Sequence, residues 1–157
     1  MAAGISLEEA REQALVLLEK ANVALSEEDK AHLKVVDYGL KDIARYGVQF
    51  VEYINNERYC ARQLALLPLQ TIPEHMHPPV GDDPGKLETF RVVWGKVRVH
   101  TEFQEIELHA GEQYTIGGNV YHGFQAGEAG AVVIEFSSPA RDRFDVFSNP
   151  QVQLKQE

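Results

Sequence analysis

The sequence predicts a mainly β protein: an antiparallel β fold, closed or built from two sheets, behind a helical N-terminal segment. Three observations carry this expectation. Apolar residues recur at threes and fours only in the first forty-odd positions. Beyond Gly47 they gather in short runs rich in β-branched and aromatic residues. Those runs are punctuated by Gly and Pro, with no helical pattern between them, as expected of a barrel or sandwich.

The elements follow in chain order. Ser6 and Glu9 have capping-box spacing, and Leu7, Ala10, Ala14, Leu17, Leu18 and Ala21 form the apolar stripe of a first helix. Ser26 and Asp29 mark a second start, with Ala31, Leu33 and Val35 as its short apolar face. Strands are expected at 48–54 and 59–67, joined by turn chemistry at Asn55-Asn56. Further strands are expected at 71–77, 87–94, 96–101, 105–108, 113–116, 120–125 and 131–137. The whole chain, 1–157, reads as one domain, with 1–46 a helical cover and 47–148 the barrel.

Composition narrows the partners. The chain has 157 residues, 44% of them hydrophobic, so a sizeable core needs no disulfide. Fifteen basic against 24 acidic side chains leave a net charge of −9, which repels phosphate backbones and anionic lipids. Neither nucleic acid nor membrane is an expected partner, and no apolar run approaches the roughly 18 residues of a membrane span. The first ten residues carry acids and no basic stretch before an apolar run, unlike a secretory leader. One cysteine, Cys60, cannot pair internally, and a cytoplasmic setting is expected.

The chemistry concentrates in Pro73-Glu-His75-Met-His77, Glu88 and His122. On a strand, His75 and His77 face the same way and Met76 the other, so they make half of a metal site. Glu88 opens the next strand after a loop long enough to return alongside. His122 follows the Gly117-Gly118-Asn119 turn and can close the site from a neighbouring strand. His32, His100 and His109 have no such company and read as ordinary histidines.

This pattern resembles the two motifs of the cupin superfamily. A histidine pair, then a glutamate, then six residues and a glycine match His75, His77, Glu88 and Gly95. The second motif matches Gly111, Gly117, Asn119 and His122, with Gly in place of Pro and Asn in place of Gly. The segments Asn56-Glu-Arg-Tyr-Cys-Ala61, Pro73-Glu-His-Met-His-Pro78, Pro84-Gly-Lys-Leu-Glu-Thr-Phe-Arg91, Gly111-Glu-Gln-Tyr-Thr115 and Glu135-Phe-Ser-Ser-Pro-Ala-Arg-Asp142 resemble the D-lyxose isomerase family of cupins, and 143–147 extend the likeness.

The resemblance implies a cupin jelly-roll β-barrel and an aldose–ketose isomerase acting on D-lyxose and D-mannose. It implies His75, His77, Glu88 and His122 as ligands of manganese, although the same donors accept Co, Fe, Ni or Zn. It also implies a sugar as partner and a homodimer. After Val99-His100-Thr101-Glu102 the chain passes at once to 104–108, where relatives of this kind carry a longer insertion. That shortens one edge of the barrel mouth and leaves the choice between lyxose and mannose open.

Isomerisation needs a base to carry a proton between C2 and C1. Glu135, inside the apolar run Ala131-Val-Val-Ile-Glu-Phe136, is the first candidate, because a carboxylate there is costly unless used. Lys86, two residues before Glu88, can hold a substrate hydroxyl or relay the proton. Arg141, Asp142, Arg143 and Asp145 have fork and acceptor chemistry suited to sugar hydroxyls. Phe90, Val92 and Trp94 share a face with Glu88 by strand parity and should line the interior. The same ligands would also serve a non-haem iron dioxygenase or a sugar-binding module without turnover.

Overall fold

The structure is a computed structural model that describes residues 4–154. The first three residues of the expected helical cover, and the last three of the expected domain, lie outside the described residues. Helix α1 (Leu7–Lys20) starts at the predicted capping box: Ser6 Oγ accepts from Glu9 N at 3.0 Å and Glu9 Oε2 accepts from Ser6 N at 2.7 Å. Helix α2 (Glu27–Ala31) repeats the device with Ser26 and Asp29. The helical cover ends sooner than expected. Val35 belongs to a strand, β1 (Lys34–Val36), which pairs antiparallel with β2 (Val48–Asn55). Two β-branched residues beside a sheet edge extend more readily than they continue a five-residue helix.

The remaining strands are β3 (Cys60–Leu66), β4 (Thr71–Met76), β5 (Glu88–Thr101), β6 (Glu105–His109), β7 (Gln113–Ile116), β8 (His122–Ser137) and β9 (Val146–Phe147). All named pairings are antiparallel, in one curled sheet. Two pairs of expected strands are single long ones. Residues 87–94 and 96–101 fuse into β5, and 120–125 and 131–137 into β8. These strands pair with each other along their length and bend together, so each serves both halves of the barrel. The second half of β8 pairs with β3, and its first half with β4.

Glycine makes the bend possible. Gly95 has φ +76°, and a Cβ there would sit 2.3 Å from the Gly130 carbonyl oxygen. The sequence motif glycine is therefore a corner, where the β5 and β8 backbones touch. Bulges flank it, between Val92 and Trp94 and between Gly95 and Val97.

The bulge corrects one expectation. Phe90 and Val92 point into the barrel with Glu88, but Trp94 packs on the outer face, against the cluster beneath α1. An extra residue in the strand inverts the parity beyond it. The outer cluster joins Ala10, Ala14, Leu17 and Leu18 of α1 to Val51, Ala65 and Val132. The inner cluster fills the barrel with Leu64, Leu66, Phe90, Val97, Val99 and Phe124, among others. Strand β8 thus sends Val132 to the helix, and Ala131 and Val133 inward, which explains its unbroken apolar run. No helix among the described residues is long and apolar enough to cross a membrane.

Candidate active site

The four expected ligands converge at one end of the barrel interior. His75 lies on β4 and His122 opens β8, and the two are cross-strand partners. His77 follows the last residue of β4, and Glu88 is the first residue of β5. The loops that carry them press together. A Cβ at Gly118 would meet the Gly85 backbone at 3.0 Å, and Asn119 takes the positive φ (+63°) that its motif position calls for. Asn119 N also donates to His77 O at 3.2 Å, fixing the second motif to the first.

Each histidine is oriented through its Nδ1. His75 Nδ1 lies 2.7 Å from Pro73 O, His122 Nδ1 2.8 Å from Val120 O, and His77 Nδ1 2.7 Å from Asp145 Oδ1. Acceptors at Nδ1 leave the Nε2 lone pairs for the interior, the tautomer that metal sites require. The ligand atoms of the three buried histidines lie within 4.8 Å of one another, so they can hold a metal ion. Glu88 Oε1 is 3.2 Å from His77 Nε2 and 2.8 Å from His122 Nε2. That contact lacks hydrogen-bond geometry, and His122 Nε2 is a buried nitrogen without a hydrogen-bond partner.

The protonation chemistry suits a cation. Burial, reinforced by the neighbouring His122 and His77, holds His75 well below the usual histidine range. Burial would raise Glu88, but the charge of Lys86, the hydrogen bond with His77 and the adjacent His122 overcome it and hold Glu88 below the usual carboxylate range. His77 differs: hydrogen bonds to Asp145 and Glu88 outweigh its burial and raise it to about 9. Its Nε2 proton therefore occupies the direction in which a ligand lone pair would point, and metal binding must release it. Three imidazole nitrogens and one carboxylate oxygen, once His77 has given up its proton, are a donor set that fits a divalent ion.

Beside this cluster lies a buried ion pair. Lys86 Nζ donates to Glu135 Oε1 at 2.6 Å and sits 3.1 Å from Glu88 Oε2. Burial lowers Lys86, yet the two carboxylates hold it above its ordinary value. Glu135 is pushed up to about 7 by burial and by the charge of Glu88, with Lys86 opposing. Its strand neighbour Val133 faces the interior, and strand parity turns Glu135 the same way. The cavity these groups share measures about 1430 Å³ and also takes in Phe90, Phe147 and Tyr38.

Arg141 and Asp145 stand on the same wall but are engaged by protein. Arg141 Nε pairs with Asp83 Oδ2 at 3.1 Å on the exposed rim, and Asp145 accepts from His77. Arg143 stacks over Phe144 with 4.7 Å to the ring centroid. Asp142, in the 3₁₀ turn Asp142–Phe144, clamps the buried Arg62 with bonds of 3.2 and 2.8 Å. Sequence reasoning missed Arg62 as the anchor of this loop. An arginine between apolar residues of a strand was the available signal. Phe147 was missed too, and its ring lies 5.4 Å from that of His75.

The curled antiparallel barrel has the cupin fold, and three of its inward histidines could hold a metal ion. No family model matches the chain. It is 46% identical to the D-lyxose ketol-isomerase of Cohnella laeviribosi, over 96% of this chain and 94% of that protein. It is 44% identical to the D-lyxose/D-mannose isomerase of Thermosediminibacter oceani, over 94% and 93%. The chain belongs to the D-lyxose ketol-isomerase family, a family of enzymes. The L-ribose isomerase of Cellulomonas parahominis, solved with L-ribose, shares the fold at a TM-score of 0.74 over 97% of this chain and 96% of that one, at 13% identity.

The alignment to the Cohnella protein runs over 171 residues, more than this chain possesses, so the relative carries insertions absent here. The short β5–β6 turn at Glu102–Gln104 lies at the mouth end, because Thr101 pairs with His122.

Proposed function

We propose that the protein interconverts D-lyxose and D-xylulose, and D-mannose and D-fructose, by moving a proton between C2 and C1 of the open-chain sugar through an enediol. The observation that carries this reading is the buried Lys86–Glu135 pair set against Glu88 inside a cavity large enough for a monosaccharide. In this reading His75, His77, Glu88 and His122 hold divalent manganese, and the same donors accept Co, Fe, Ni or Zn. Bound there, the ion supplies Lewis-acid polarisation of the sugar carbonyl.

The chain's own groups do the rest. Glu135, pushed up to about 7, takes the C2 proton as carboxylate and returns it to C1 as acid, while the hydroxyl proton passes from O2 to O1 of the enediol. Lys86 keeps Glu135 in place by its 2.6 Å bond and offers its remaining N–H groups to sugar oxygens. Asp145 orients His77, while Arg141 sits at the rim where hydroxyls of the sugar pass. The barrel and its N-terminal helices act as one domain, in a cytoplasmic homodimer. Light scattering at micromolar concentration should give twice 17.6 kDa, and the monomer mass would reject the dimer.

Glu135→Gln tests the mechanism. It keeps shape and ion but removes basicity, so kcat should fall about 10²–10⁴-fold with KM nearly unchanged. Washout of the substrate's C2 hydrogen into deuterated solvent should slow in step. Migration of the C2 label to C1 without washout would mean hydride transfer. More than about a tenth of parental kcat surviving would pass the role of base to Lys86 or Asp145.

A further inference from the structure

Resting on the isomerase reading above, one side chain on the cavity wall has no place in the chemistry so far. Tyr38 lines the cavity from the segment between β1 and β2. Its backbone is unusual: φ is +56° at Tyr38 and +72° at Gly39. Leu40 N donates to Asp37 O at 3.0 Å and Gly39 N to Asp37 Oδ1 at 2.9 Å, closing a tight turn. Positive φ at the first central position is the province of Asn and Gly, and a bulky aromatic residue there is strained. Gln153 N holds the Tyr38 carbonyl at 2.9 Å, so the turn is fixed from behind.

Packing explains the ring. Its centroid is 5.5 Å from that of Phe147, whose ring in turn lies 5.4 Å from His75. Packing does not explain the hydroxyl. It makes no hydrogen bond to another described residue, and phenylalanine would fill the same space without a polar atom to satisfy. Tyr38 shares the cavity wall with Arg62, Glu135, Asp142 and Asp145. Strain retained at a cavity wall, together with an unpaired polar tip, marks a ligand contact.

We propose that the Tyr38 hydroxyl binds the terminal hydroxyl of an open-chain sugar whose C1 and C2 lie beside the histidine cluster. Tyr38 stands beyond Phe147 as seen from His75, with ring centroids 5.5 Å and 5.4 Å on either side of Phe147. The head of the sugar then stays with His75, His77 and His122, and its tail reaches toward Tyr38. It is a binding contact, and proton transfer does not pass through it.

Tyr38→Phe tests this in the manganese-loaded protein, by calorimetric titration with the pentitol made by reducing D-lyxose and with its analogue lacking the terminal hydroxyl. The pentitol should bind about threefold to tenfold more weakly to the variant, the size of one neutral hydrogen bond. The deoxy analogue should bind parent and variant alike, with metal content and Tm unchanged. For D-lyxose turnover, KM should rise with kcat retained. Equal pentitol affinity in parent and variant, or equal weakening of both polyols, overturns the contact, as does a parent that binds no pentitol. A parent that binds the pentitol through Tyr38 yet leaves D-lyxose unchanged refutes the isomerase reading and upholds the contact.

Discussion

Strand β8 meets two different environments within four residues. Val132 faces out, under Leu17 and Leu18 of α1, in a cluster built from apolar side chains. Glu135 faces in, against Lys86 and close to Glu88, where charge lies buried with charge. The outer face stabilises the fold: fully burying one leucine contributes roughly 1.5–3 kcal/mol. The inner mouth works against stability. Desolvating an ion costs several kcal/mol, and pairing returns that cost only when geometry is excellent. One strand therefore carries both the stability and the chemistry, and residue parity keeps them apart.

The comparison breaks most visibly if the buried pair is replaced by apolar residues of similar volume. Lys86→Met with Glu135→Leu should abolish measurable turnover. Stability of the metal-loaded protein should stay level or rise by about 1–4 kcal/mol, as apolar replacement of buried ion pairs often does. A Tm several degrees below the parent in calorimetry would show that the mouth contributes to stability after all.

The converse change belongs to the helix. Leu18 is 1% exposed, and Leu18→Ala should cost about 2–5 kcal/mol. At about 2–4 °C per kcal/mol for a domain of this size, Tm should fall by roughly 4–20 °C. At a temperature where the variant is folded, kcat and KM should match the parent. A large loss of kcat in folded Leu18→Ala would mean that the two faces of β8 are coupled.

This division also explains what the sequence disclosed. Both capping boxes, the strand composition and the run His75, His77, Glu88 depend on spacings of two to eleven residues, which one strand or turn converts directly into geometry, whereas His122 was legible only from the turn that precedes it. Lys86 and Glu135 were legible as misfits, a charge inside an apolar run and a lysine beside a ligand. Their mutual bond was not, because it joins residues 49 apart. Trp94 was misplaced because parity fails at a bulge that has no local marker. Val35 was given to a helix since three residues carry too little periodicity to separate helix from strand. The Arg62–Asp142 clamp spans 80 residues, and charge pairing across such separations has no signature in a single sequence.

That clamp sharpens the comparison at its weakest point, because it stands between the two regions. Arg62 stacks on Phe50 at 4.8 Å and joins Glu52 to Asp142, tying the loop that carries Asp145 to the sheet. Burial would raise Asp142, but Arg62 outweighs it and holds the carboxyl below its ordinary value. The unfolded chain therefore binds a proton at this site more readily than the folded one. Stability from the pair is fully present above the ordinary aspartate value and fades as pH falls through the depressed one. Asp142 is about half exposed, so solvent screening keeps the contribution small. Asp142→Asn should remove this acid-side slope while leaving stability near neutral pH only slightly lower. Urea unfolding of parent and variant between pH 3 and 7 would show the two curves converging as pH falls. Parallel curves over that range would mean that Asp142 titrates normally and that the loop is held by its other contacts, chiefly the paired bonds between Asn55 and Ala140.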